Sequence, residues 1–175
     1  MRVRVAVVVP LLGALLAACS STPKPPDVPV MLMPPSGQVP FLETLAKGVQ
    51  IYECVPKQGQ AGVYEWVLRA PEATLTDWSG RVLGKHYAGP VWEATGDGSK
   101  VMGSVKSRAD APVAGAIPWL LLSTKSVGGT GYFADVTSIQ RVATHGGVAP
   151  AGDCAKTGMQ ARVEYTADYY FFNAR

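Results

Sequence analysis

From Val163 to Phe172 the chain reads VEYTADYYFF, with Val163, Tyr165, Ala167, Tyr169 and Phe171 falling on every second position. A side-chain period of two belongs to a strand that buries one face. A strand needs partners, and the chain offers them. Around Gly48 to Val55, Tyr52 and Cys54 alternate with Ile51 and Glu53. In Val63 to Arg69, Tyr64, Trp66 and Leu68 share one face, while Glu65 and Arg69 take the other. Shorter candidates are Ala73–Leu75, Arg81–Tyr87, Val91–Ala94, Lys100–Val105 and Val136–Ala143. IPWLLLST suits a strand covered on both faces. TDWSG (Thr76–Gly80) and TGDGS (Thr95–Ser99) read as turns, the second with the Asp-Gly pair of a hairpin. The 19 glycines and 14 prolines punctuate the chain about every ten residues. The pattern predicts an all-β fold, either a single antiparallel β-sandwich or a small closed β-barrel. Pro40 and Gly48 bracket a stretch that predicts a short N-terminal helical turn.

The first forty residues are of another kind. Arg2 and Arg4 precede an apolar run from Val5 to Ala18. Some fourteen residues make roughly 21 Å of helix, short of the ~30 Å hydrocarbon core. Residues 1–18 therefore read as a signal peptide. Leu16-Ala17-Ala18-Cys19 looks like a bacterial lipobox, which makes Cys19 the expected lipidated mature N-terminus. Ser20 favours the outer membrane, with the protein facing the periplasm. An ordinary signal peptide with an incidental cysteine is the competing reading. Residues 19–36, rich in proline, read as a tether, and residues 37–175 as one β-rich domain. Met31, Leu32 and Met33 can touch the lipid surface or dock on the domain.

Cysteine and charge narrow the setting. With Cys19 assigned to lipid, Cys54 and Cys154 remain, and in an oxidising compartment they read as one disulfide. Neither has a second Cys or a His at ligand spacing, so no metal site is expected. The 16 basic residues become 14 when Arg2 and Arg4 are removed, and against 13 acids this leaves +1. No basic field suggests nucleic acid as a partner. No cofactor signature is present either. VGGTGYF (Val127–Phe133) lacks the Gly-Lys-Ser/Thr ending of a phosphate loop and reads as a flexible turn.

HYAGPVWE is the candidate working surface. It sets His86, Tyr87, Trp92 and Glu93 around a Gly89-Pro90 break. Pro90 cannot donate to a sheet ladder, so a strand should stop there and its side chains gather at a rim. A cleft holding these four residues is the expectation. The alternative is that Tyr87 and Trp92 fill the core. By pattern Trp66 and Trp119 look like core, and Trp78 and Trp92 like surface. YYFF also raises a membrane-spanning barrel, set aside here because too few alternating ten-residue segments are recognisable.

Five blocks taken together, YEWVLRAPEATLTDWSG, GKHYAGPVWEATGDGSKV, AIPWLLL, IQRVATHGGVAP and YTADYYFF, resemble an uncharacterised family. It is domain-of-unknown-function family 3455, of bacterial envelope and fungal secreted proteins. The resemblance runs from about Phe41 to Phe172 and implies an extracytoplasmic β-rich domain. It supplies no catalytic residues. Glu53 and Ala143 depart from the family pattern, Ala143 standing where Asn is common. A dinucleotide-binding dehydrogenase is excluded by the missing Gly-x-Gly-x-x-Gly and strand–helix alternation.

Two functions follow. One is a non-catalytic envelope lipoprotein that binds a polymer, a lipid-like ligand or a protein. The other is an extracytoplasmic hydrolase-type enzyme using His86 and Glu93 as acid and base.

Overall fold

The computed structural model describes residues 22–175. The signal peptide and the lipidation residue Cys19 lie outside the described residues. Eight antiparallel strands close into one barrel in chain order. They are β1 (Gln38–Pro56), β2 (Tyr64–Thr76), β3 (Val82–Tyr87), β4 (Val91–Ala94), β5 (Lys100–Ala109), β6 (Trp119–Gly128), β7 (Val136–Gly146) and β8 (Gln160–Ala174). Of the two architectures the sequence left open, the closed barrel is the one formed. The ring closes where β1 runs beside β8, from Gln38↔Ala174 to Glu53↔Gln160.

The helical turn predicted at Pro40–Gly48 is the first half of β1 instead. Leu42, Thr44, Ala46 and Gly48 alternate inward there, so the true period is two. Pro40 sits at a bulge, where a missing N–H is tolerated. Gly48 is no helix stop. A Cβ on it would lie 2.0 Å from the Glu72 carbonyl oxygen. The helical turn that does form is a 3-10 turn, Val30–Leu32, inside the stretch read as tether.

That stretch docks on the barrel. Leu32 is fully buried, and its carbonyl accepts a 2.6 Å hydrogen bond from Gln140 Nε2. Val28 packs on an outer-face cluster of Val142, Tyr170 and Phe172. Met31 and Met33 stay exposed. The both-face covering expected of IPWLLLST is thus real: Leu122 belongs to the barrel core, and the neighbouring Leu121 is buried too, on a sheet whose outer face the arm covers.

Inside, β8 presents Tyr165, Ala167, Tyr169 and Phe171, as its alternation predicts. One end of the barrel is stoppered by Phe133, stacked on Phe171 at 4.7 Å. The glycine-rich loop that carries it is pinned: Tyr132 N donates to Asp97 and Phe133 N to Ser99 Oγ. At the opposite end Cys54 and Cys154 are disulfide-bonded, their Cα atoms 5.8 Å apart.

Six strands, β1, β2, β5, β6, β7 and β8, are ten residues or longer, more than the sequence made recognisable, so the membrane-barrel reading turns on the outer face. Lys47↔Thr74↔Lys85↔Glu93↔Lys100 form a polar row across five adjacent strands. A lipid-facing barrel carries an apolar band at that position.

Candidate functional site

β3 and β4 are short, whereas their neighbours β2 and β5 are long. β3 pairs with β2 only from Ala73 to Thr76, and β4 pairs with β5 only from Lys100 to Met102. Beyond the Gly89-Pro90 turn the barrel wall is therefore notched. Pro90, Leu68, Pro71, Val105 and Leu120 line the notch, and Leu68 and Val105 are exposed. Behind it lies a cavity of about 130 Å³ whose lining also includes Gln50, His86, Trp92, Arg141 and Tyr169.

His86 and Trp92 are register partners and both are buried. Their rings stack with centroids 4.0 Å apart, and Tyr169 meets both edge-on. Gly103 makes room for the indole: a Cβ there would lie 2.8 Å from Trp92 Cζ3. His86 Nδ1–H donates to the Val91 carbonyl at 2.9 Å, because a carbonyl can only accept. Burial pushes the imidazole pKa down to about 3, so the ring is neutral at ordinary pH.

The interior is polar and incompletely satisfied. Gln50 Nε2 and Trp92 Nε1 are buried without a hydrogen-bond partner among the described residues, and the buried Tyr165 and Tyr169 hydroxyls have each other, with Arg141 beside Tyr169, but no well-formed hydrogen bond. Burial raises the pKa of both tyrosines. Arg141 Nε and Nη2 donate to the Pro118 carbonyl at 3.2 and 2.8 Å, which fixes the guanidinium beside the cavity. Native interiors rarely leave so many polar groups unpaired, and each carries a desolvation cost of about 1–3 kcal/mol.

The expected four-residue cleft is not what forms. Alternation turns His86 and Trp92 inward and leaves Tyr87 and Glu93 on the outer face. There the Tyr87 hydroxyl donates to Glu93 Oε2 at 2.7 Å, and Lys85 and Lys100 flank the same carboxylate at 3.3 and 3.4 Å. The Tyr87 hydrogen bond, with the lysines, holds Glu93 below the usual carboxylate range. The acid–base pairing of His86 with Glu93 fails for the same reason, since the sheet stands between them. Trp92, read as a surface residue, is core. Trp78 is exposed as expected.

Gln50, Arg141 and Tyr169 line the cavity and are not among the site residues the sequence singles out. The signal was present: a Gln and an Arg occupy inward parity in otherwise apolar strands. Among the described residues no three His, Cys, Asp or Glu side chains cluster as metal ligands. A larger outer groove, about 410 Å³, runs past Lys47, Glu72, Lys85 and Arg162 and is also lined by His86 and Tyr87, two of the four expected residues. Two of its charges already pair, Arg162 with Glu72 at 3.0 Å.

Residues 35–173 match the family described as "Protein of unknown function (DUF3455)". The resemblance read from the five sequence blocks is thereby confirmed. No curated protein and no solved structure matches the chain.

Proposed function

The chain belongs to the DUF3455 family of proteins of unknown function, and we propose that this member is a lipid-anchored envelope protein whose barrel binds a small ligand through the notch. The anchor reading comes from Leu16-Ala17-Ala18-Cys19, and the Cys54–Cys154 bridge suits the same oxidising compartment. Ser20 after the lipidated cysteine favours a seat at the outer membrane. The single observation that carries the binding function is the cavity of unpartnered polar groups behind an open apolar rim. Eight-stranded barrels are wide enough to hold one small ligand. No nucleophile with an oriented base stands at the cavity, which favours binding over bond cleavage.

Native mass spectrometry of the full-length protein recovered from membranes tests this. The expected result is a diacylated or triacylated Cys19 terminus and a non-covalent adduct that denaturation releases. Val105→Trp, which fills the rim, should abolish the adduct. Wild-type protein recovered without any adduct would count against the binding function, and an unmodified terminus would remove the anchor.

A further inference from the structure

The cavity's chemistry is lopsided. Gln50 Nε2 and Trp92 Nε1 are pure donors, and both are buried without a partner. The Tyr169 hydroxyl, beside Tyr165 and Arg141, can donate as well. Arg141 adds a fixed positive charge, and no carboxylate pairs with it among the described residues. His86 adds no charge: its Nδ1–H is spent on Val91, which leaves Nε2 a neutral acceptor. No Asp or Glu lines the space. Among these neutral groups the half-buried guanidinium has no negative charge opposite it, and an anionic acceptor would supply one.

Size and shape limit that acceptor. About 130 Å³ is close to the roughly 150 Å³ cavity that holds one benzene. The remaining walls are apolar or flat: the His86–Trp92 stack, Leu120, Leu122 and the prolines. One fixed cation balances one charge, so a dianion such as phosphate would be left uncompensated. An ammonium would meet Arg141 and no counter-charge.

We infer that the interior site takes a compact monocarboxylate, its carboxylate toward Arg141 and its flat or short apolar body against the His86–Trp92 stack. The inference rests on the reading of the barrel interior as a binding site.

Isothermal titration of the full-length protein with benzoate, benzyl alcohol and benzylamine tests it. The three share a ring and differ in the charge and donor character of one group. Benzoate should bind saturably, benzyl alcohol at least tenfold more weakly, and benzylamine not at all. Gln50→Leu removes an unpartnered donor, so it should leave the fold intact and weaken benzoate at least fivefold. Arg141→Gln should abolish benzoate binding. Should that variant fail to fold, Gln50→Leu alone carries the test. Equal binding of benzoate and benzyl alcohol would overturn the carboxylate assignment while leaving the interior site standing. Benzoate binding that Gln50→Leu and Val105→Trp leave unchanged would place it elsewhere on the molecule and overturn the assignment. If none of the three binds while the native protein still carries an adduct, the ligand class is wrong. If none binds and no adduct exists, the binding function falls as well.

Discussion

Ala143 is the one non-glycine residue among those described whose backbone has a positive φ, 47°. It lies in the bulge where the β7–β8 register shifts between Val142 and His145. In that left-handed region Cβ crowds the following carbonyl at a cost of about 1–2 kcal/mol, and Asn tolerates it best after Gly. The family resemblance implies Asn at this position, a residue suited to the left-handed backbone of the bulge. Ala143→Asn should therefore stabilise the fold by about 0.5–1 kcal/mol, read as a higher urea midpoint. A lower midpoint would show that the half-buried site cannot hold the amide. Thr144 beside it is buried and donates to the Ile117 carbonyl at 2.6 Å, which ties the bulge to the loop before β6.

Among the elements, the short β3–β4 hairpin does most to shape the site. It supplies the two stacked rings and, by stopping at Gly89-Pro90, leaves the wall open above them. Its ring needs space on the next strand, and Gly103 of β5 provides it. Gly103→Ala should displace Trp92, with overpacking costing about 1–3 kcal/mol. Near-UV circular dichroism reports the displacement directly. An unchanged aromatic spectrum with full stability would mean the indole is not held as described. The hairpin also shows what the sequence could and could not convey. HYAGPVWE announced a strand break through Pro90, and the break is there. Its alternation also separated His86 and Trp92 from Tyr87 and Glu93, but a reading by proximity along the chain put all four in one cleft. At Pro40–Gly48 the end residues imitated helix caps and hid a period of two. The turn chemistry of TDWSG and TGDGS is local, and those turns were legible for that reason. The choice of barrel over sandwich depended on β1 meeting β8, a pairing between chain ends that no local pattern encodes. Arg141 and Gln50 became site residues only once the ring placed them together.

At the scale of the whole molecule, acid stability sums opposing groups. His86 has its pKa depressed by burial to about 3, against about 6.5 unfolded. Its contribution is present above pH 6.5 and is lost as pH falls toward 3. Asp168 has its pKa raised to about 6, by burial first and then by Glu43. Its neutral form is the favoured one in the fold, so its contribution is present below about pH 4 and is lost as pH rises to 6. From pH 4 to 6 the two proton balances cancel, and stability should be nearly flat. Below pH 4 the His86 loss is unopposed, and Asp77, Glu93 and Asp97, all with lowered pKa values, add to it. Asp168→Asn removes the counterweight. Its stability should climb between pH 4 and 6 at about 1.4 kcal/mol per pH unit, measured by urea unfolding at each pH. A variant as flat as the wild type would mean that His86 is not the buried neutral ring described here.

The seam between β1 and β8 unites the first strand synthesised with the last. A chain delivered across a membrane N-terminus first holds β1 beside β2 alone until β8 emerges. For that interval the backbone from Gln38 to Glu53 is a bare edge, open to any other strand it meets. The barrel has no partial form in which every edge is covered, so its maturation is gated by the arrival of its final fifteen-residue strand. Were the chain exported in this way, export and closure would become a single race against mispairing, one that a holdase or a fast translocation step decides.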